Sequence, residues 1–302
     1  MKVNRKSGYY LGDNIMIGIF GGTGVTGSQV VKALKSRGAD FTCIVRDPEA
    51  AKVKIGEDIK FRTGDLSDKE SLKKAIDGLE TVFLLTGHSP MLKDLEFNAI
   101  EAAKDAGVSY LVKASGSEKG IRPDAPSKIT QMHYHIEEAV KSCGIKWAIT
   151  RPNYFMSNLM SMAEPIAKMG KLITPFPLDT GISMIHPADV GEASAEVILN
   201  QDYAGDAYFM TGALVTIGDA LNEISKALGK DIEYVNVTLE QMEQAMLEKN
   251  MPDWLVAHAL ALTEICTNGG MAGVTDWVNK LTGHPPKTLS EWVNSSKAAF
   301  GG

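Results

Sequence analysis

Basic charge is the first thing this sequence is short of. Its 31 lysines and arginines face 37 acidic residues, for a formal net charge of −6, so there is no cationic excess with which to coat nucleic acid. Cysteine is scarce as well. The three, Cys43, Cys143 and Cys266, lie far apart with no C-x-x-C, which leaves neither a readable zinc site nor a disulfide framework and makes a reducing cytoplasm the expected setting. No apolar run reaches the length of a membrane span. Residues 1–14 carry Lys2, Arg5 and Lys6 but no apolar h-region, so they read as a flexible leader and not as a signal peptide. Neither an internal repeat nor a low-complexity linker is present. What is there is ordinary for a globular chain: 44% hydrophobic and 23% charged over 302 residues, enough for a large α/β domain with a smaller lobe, or for two domains.

Glycine is concentrated where it is informative. Residues 15–20 form an apolar run that reads as a buried parallel strand, and Gly21-Gly22-Thr23-Gly24-Val25-Thr26-Gly27 follows at once. The run satisfies G-x-x-G-x-x-G through Gly21, Gly24 and Gly27, and G-x-G-x-x-G through Gly22, Gly24 and Gly27. One glycine permits the tight turn, one lets a pyrophosphate reach bare backbone, and one lets helix pack on strand. The helix that follows, ending near Arg37-Gly38, would offer its free N–H groups to the anion. Glycines also close ordinary loops, but the strand before and the helix after are the context the motif requires.

The alternation continues down the chain. A second strand over 41–45 ends in Arg46-Asp47-Pro48-Glu49, where Asp47 reads as a helix cap with proline at the first helical position. Arg46, nineteen residues after Gly27, stands where an acid would hold a ribose 2′-OH and an arginine a 2′-phosphate, so NADP(H) is expected over NAD(H). A third strand over 59–63 leads to Gly64-Asp65-Leu66. Ser67 and Glu70 read as a capping box for the next helix, which leaves Asp65 free to accept from an adenine amino group. A fourth strand, 81–85, runs into Thr86-Gly87-His88, a loop placed over the middle of a cofactor. Helix 91–106, strand 110–114 and a sixth strand over 146–150 complete the expectation: an α/β fold, a doubly wound parallel Rossmann sheet with a smaller, mainly helical C-terminal lobe. The division expected is 15–153 for the dinucleotide-binding domain, with 180–214 returning to it, and 154–179 plus 215–302 for the lobe. Residues 208–211 read as a returning strand, and three or four helices are expected after about 215.

Taken together, GGTGVTG, IVRDPEAAK, GDLSD, HYHIEEAVKSCGIKWAITRPNYFMSNL, MIHPADVG, YFMTG and TDWVNKLTGHPPKTLSEWV resemble the NmrA-like family of atypical short-chain dehydrogenase/reductases. The resemblance runs from residue 15 to about 300. It implies cofactor contacts at Gly21, Thr23, Gly24, Val25 and Gly27, at Arg46, at Asp65 and Leu66, and at Thr86 and Gly87. The wider superfamily uses a Tyr-x-x-x-Lys pair to trade protons with a carbonyl. Counting back from Glu137 puts Ile129 at the tyrosine position and His133 at the lysine position. The usual proton donor is missing. Family members divide between reductases and cofactor-sensing regulators.

His133 is therefore a candidate for the nicotinamide ribose or for proton supply, against the plainer reading of a helix histidine such as His135. Asn153, Tyr154, Phe155 and Met156 leave the sixth strand at its carboxyl end. Asn153 is expected at the cofactor, and Tyr154, Phe155 and Met156, with His88, in the substrate pocket, against the plainer reading that Phe155 and Met156 are core. Tyr154 and His133 are the candidate catalytic side chains. Arg151 and Pro152 read as structural; His186 and Asp189 as shaping the next helix. No metal site is expected. An acceptor with a good electron sink needs no strong acid, so the missing tyrosine points to an NADPH-dependent reductase of quinones, azo compounds, enones or cationic dyes rather than of simple ketones. A non-catalytic NADP(H) sensor is the rival reading. The expected partner is a small apolar or aromatic substrate, with no nucleic acid and no membrane, and a homodimer is compatible with the sequence.

Overall fold

The protein was analysed as a computed structural model, which describes residues 16–302; the leader and Ile15 lie outside the described residues. Strand and helix alternate through β1 (Ile17–Phe20), α1 (Val25–Ser36), β2 (Phe41–Val45), α2 (Pro48–Ile55), β3 (Lys60–Thr63), α3 (Lys69–Ile76), β4 (Thr81–Leu84), α4 (Leu92–Asp105), β5 (Tyr110–Ala114), α5 (Lys128–Ser142) and β6 (Lys146–Pro152). With β9 (Ala207–Met210) these strands make one sheet in the order β3-β2-β1-β4-β5-β6-β9. Every pairing in it is parallel.

Because helices cover both faces, the central strands are buried along their whole length, which is why IGIF, TVFL and YLVKA read as unbroken runs. Side chains still alternate. Tyr110, Val112 and Ala114 join the core beneath α1 and the later α7 (Pro187–Leu199), while Leu111 joins the core beneath α3, α4 and α5. The strand order reverses between β1 and β4, opening a crevice at their carboxyl ends, where such sheets bind ligands.

Several local expectations hold. Asp47 accepts from the Ala50 N–H at 3.0 Å, with Pro48 opening α2. His186 caps α7, its Nδ1 accepting from the Ala188 N–H at 3.0 Å. The cap of α3 needs correcting: Asp68, not Ser67, accepts from the Glu70 and Ser71 N–H groups at 3.0 and 3.2 Å. Ser67 turns back to Asp65 instead.

Beyond β6 the chain builds the lobe from a 3₁₀ segment (Met156–Met162), α6 (Ala163–Met169), β7 (Lys171–Thr174) and β8 (Gly181–Ser183). After α7 and β9 it adds β10 (Leu214–Thr216), α8 (Ile217–Leu228), β11 (Glu233–Asn236), α9 (Leu239–Glu248), α10 (Asp253–Thr267), α11 (Trp277–Thr282) and α12 (Leu289–Ser296). That is five α-helices after residue 215 among the described residues, where three or four were expected. The lobe core draws on Ile166, Ile182, Ile217, Ile224, Trp292 and Phe300. Val278 and Leu281 of α11, however, pack with α7 in the sheet's own core, so the late chain returns to the sheet.

Candidate active site

At the first crossover the backbone is shaped for an anion. Gly21 has φ +72°, and a Cβ there would stand 2.4 Å from the Leu85 carbonyl oxygen. A Cβ on Gly27 would stand 2.0 Å from the Gly21 carbonyl oxygen, so helix and turn touch backbone to backbone. Gly24 differs: its nearest obstacle is the Gly21 oxygen at 3.4 Å, and the space a side chain would fill is open. Gly24 is also the N-cap of α1, with no side-chain cap and no acid in the first turn, so the N–H groups of that turn have no side-chain acceptor among the described residues. Gly24 and Val25 are exposed there, and Thr23 is half-buried beside them.

Arg46 is exposed at the end of β2 and forms no hydrogen bond or ion pair among the described residues. Asp65 lies near enough to feel its charge. Contrary to the expectation from sequence, Asp65 is not free: its Oδ1 accepts from the Ser67 N–H at 2.8 Å and the Ser67 hydroxyl at 2.7 Å, bonds that hold its pKa below the usual carboxylate range. The Asn98 amide holds the Leu66 carbonyl at 2.9 Å and so fixes the loop after β3.

At the other end of the crevice the structure assembles a cluster that sequence reading found only in part. His133 of α5 is buried, and its Nδ1 has no hydrogen-bond partner. The His88 ring stands edge-on to it, with centroids 5.6 Å apart, and edge-on at 5.1 Å to His258 of α10. His258 Nδ1 lies 2.7 Å from the Ser127 hydroxyl, which caps α5 by accepting from the Ile129 N–H at 3.2 Å. His88 is open to the crevice on one side and crowded by protein on the others. That crowding first, then the charges of His258 and Lys113, pushes its pKa down to about 4. Burial holds His133 well below the ordinary histidine value, helped by Lys113, and lowers His258 too. All three shifts favour the neutral ring.

Beneath them Lys113 of β5 pairs with Glu96 of α4 at 3.1 Å, both side chains fully buried. The Lys113 ammonium also bonds the Ala114 carbonyl. Burial raises the Glu96 pKa. The Thr86 hydroxyl is buried against Glu96 outside hydrogen-bond geometry, and Gly87 is exposed at the rim. Lys113, Glu96, Ser127 and His258 were missed in the sequence.

Two expectations change. Asn153 is buried and already held: its amide nitrogen donates to the Ser183 carbonyl at 3.0 Å, the Ser183 hydroxyl at 2.7 Å and the Met271 carbonyl at 3.0 Å, while its oxygen accepts from Ser117 at 2.9 Å. It clasps the lobe to the end of β6, and its polar atoms are not offered to a cofactor. Tyr154 and Met156 are packed in the lobe core, Tyr154 edge-on to Phe176 at 6.5 Å, and burial pushes the tyrosine pKa upward. Such a phenol is a poorer acid than an exposed one. Phe155 is half-buried against the sheet core. Arg151 is structural as read, bonding Glu137 through Nε at 3.0 Å. Among the described residues one group, Asp189, Glu192 and His284, is compact enough for a metal ion, but Lys287, 3.6 Å from Asp189 and 3.2 Å from Glu192, already gives both carboxylates a cation.

The model of the NmrA-like family matches residues 13–293. The chain belongs to the NmrA-like family. Among its relatives, an NAD(P)H azoreductase from Xenophilus azovorans is 32% identical over 288 residues, which is 95% of this chain and 99% of that protein. Quinone oxidoreductase 2 of Escherichia coli is 28% identical over 284 residues, 92% and 98% of the two chains. The structure of an NADPH-dependent quinone oxidoreductase from Escherichia coli in complex with NADPH superposes with a TM-score of 0.82 at 26% identity, covering 93% of this chain and 99% of that one. As an NmrA-like protein the chain carries a dinucleotide crevice whose open Gly24, uncapped α1 and unpaired Arg46 fit a pyrophosphate and a further phosphate. Among the described residues no helix is long and apolar enough to cross a membrane.

Proposed function

We propose that this chain is an NADPH-dependent oxidoreductase that transfers hydride to a small, conjugated, planar electrophile: a quinone, azo compound, enone or cationic dye. The observation that carries the reading is what stands at the two ends of the crevice. At one end the α1 N-terminus and Arg46 have no side-chain acceptor among the described residues. At the other, the place of the superfamily tyrosine is taken by Ile129, 2% exposed in the core, with His133 four residues on.

When bound, NADPH supplies the hydride. The chain's own residues do the rest. The turn from Gly21 to Gly27 holds the pyrophosphate by backbone N–H groups, and Arg46 makes a charge-assisted pair with the 2′-phosphate. His133 and the Thr86–His88 loop wall the nicotinamide side, and the lobe closes over the crevice and excludes water. The rings gathered there, His88, His133 and His258, all have pKa values lowered by burial and hold no readily given second proton, so the proton that completes reduction comes from solvent. That suffices when the acceptor itself delocalises the arriving electron pair, and fails for a simple ketone. The relatives named as azoreductase and quinone oxidoreductase act on acceptors of this kind.

The test is NADPH absorbance followed with purified protein against naphthoquinone, an azo dye, a triphenylmethane dye and a plain ketone. Turnover of conjugated acceptors and none of the ketone is the expected result. Tight NADP binding with no turnover of any acceptor would replace this reading with that of a cofactor sensor.

A further inference from the structure

His258 of α10 brings a polar side chain of the lobe against His88 at the reaction end of the crevice, and the surroundings of that ring determine what it offers. The Ser127 hydroxyl is buried, and its oxygen already accepts from the Ile129 N–H. Its own hydrogen still needs an acceptor, since a buried hydroxyl hydrogen left unpaired is costly. The acceptor at hand is His258 Nδ1, 2.7 Å away. With Nδ1 accepting, the neutral ring carries its proton on Nε2, the opposite corner, as a fixed donor. From His258 the rings continue to His88 at 5.1 Å and to His133 at 5.6 Å, so this donor belongs to the same wall as the residue at the lysine position.

We propose that His258 is a catalytic residue whose Nε2–H donates to the heteroatom of a neutral acceptor, a quinone oxygen or an azo nitrogen, on which negative charge collects as hydride arrives. Ser127 is the positioning residue that sets its tautomer. This rests on the reductase reading above and names the chemistry that the site favours within it. The step balances without any proton leaving His258. The hydride forms a new bond to carbon or nitrogen of the acceptor and breaks a π bond, whose electron pair moves to the distal heteroatom. The cofactor is oxidised by two electrons, the acceptor is reduced by two, and a proton from water neutralises the anion. A hydrogen bond to that atom strengthens as charge grows, so it stabilises the transition state more than the bound substrate. A cationic dye is different: hydride quenches its positive charge, no anion forms, and the donor has nothing to stabilise.

The experiment is single-turnover NADPH oxidation with naphthoquinone and with a triphenylmethane dye, for the wild type and for His258→Leu, His258→Gln and Ser127→Ala, with NADPH affinity and melting temperature measured alongside. The expected result is that the ratio of quinone rate to dye rate falls about a hundredfold in His258→Leu, the low end for removing one such donor. His258→Gln, whose amide can donate from a similar place, should restore most of the ratio. Ser127→Ala frees the tautomer and loses only one helix cap, so it should lower the ratio in the same direction by a smaller factor while the protein stays folded. A ratio unchanged within twofold in both His258→Leu and Ser127→Ala, in a wild type active on quinone, overturns the role of His258 alone. If His258→Leu does not fold, Ser127→Ala with an unchanged ratio overturns it equally. A wild type inactive with both acceptors overturns the reductase reading and this inference together.

Discussion

The two ends of the crevice are built on opposite plans. The proposed phosphate end is made of backbone: Gly21, Gly24 and Gly27 keep it clear of side chains, and what it offers a ligand is the N–H groups at the start of α1. The proposed nicotinamide end is made of side chains brought from the loop after β4 and from β5, α4, α5 and α10, namely His88, Lys113, Glu96, His133 and His258. The difference teaches where tolerance to change lies. A backbone site is broken by adding atoms and is local in sequence; a side-chain site is broken by removing atoms and depends on how distant elements dock.

Substitution at Gly24 tests the first plan at its most exposed point and carries the largest expected effect. A valine there finds room in the protein itself, where nothing stands closer than 3.4 Å, but it occupies the phosphate's space. Gly24→Val should therefore fold with an unaltered melt and bind neither NADPH nor NADH in calorimetry; retained binding would sink the phosphate-turn assignment.

The side-chain plan is tested at its base. Lys113→Met leaves the Glu96 carboxylate buried with no cation, and breaking a buried pair this way costs about 3–5 kcal/mol. The urea midpoint should drop accordingly, and the double variant Glu96→Leu/Lys113→Met should recover much of it, since two apolar groups leave no buried charge. The Glu96 pKa, already raised by burial, should rise further in Lys113→Met. Fuller protonation then removes the buried charge, so the deficit in stability should shrink as pH falls. A deficit flat in pH would mean that packing, not charge, holds this end together.

In the proposed function Arg46 is the side chain that sets cofactor choice at the backbone end. Replacing it with alanine removes a charge-assisted pair worth on the order of 1.5–3 kcal/mol. NADPH affinity should fall while NADH affinity barely moves, and an equal loss for both would contradict the 2′-phosphate role. Smallest is the effect expected of Tyr154→Phe. With its ring in the lobe core and its pKa raised by burial, the hydroxyl should contribute less than about tenfold to single-turnover hydride transfer. A loss beyond roughly a hundredfold, the range for removing a general acid, would make Tyr154 the substitute for the absent superfamily tyrosine.

By itself the sequence determined the parallel sheet, the glycine turn and the cap at Asp47. Each rests on a pattern a few residues long: apolar runs that only a strand covered on both faces can use, glycines at fixed spacing, and an acid before a proline. The misplaced cap at α3 marks the margin of such patterns, since Ser67 and Asp68 offer competing registers one residue apart and packing selects Asp68. Lys113 and Glu96 were visible as charges inside an apolar strand and on the apolar stripe Leu92, Ala99, Ile100 and Ala103 of α4, though not their pairing. His258 left no such mark, because α10 is apolar nearly all round and nothing in its spacing says which residue meets Ser127, 131 positions earlier. Tertiary structure alone decided that contact, and with it the holding of Asn153 and Tyr154 by the lobe. The physical reason is that donor and acceptor geometry between remote segments depends on how whole elements pack, and no local propensity encodes it.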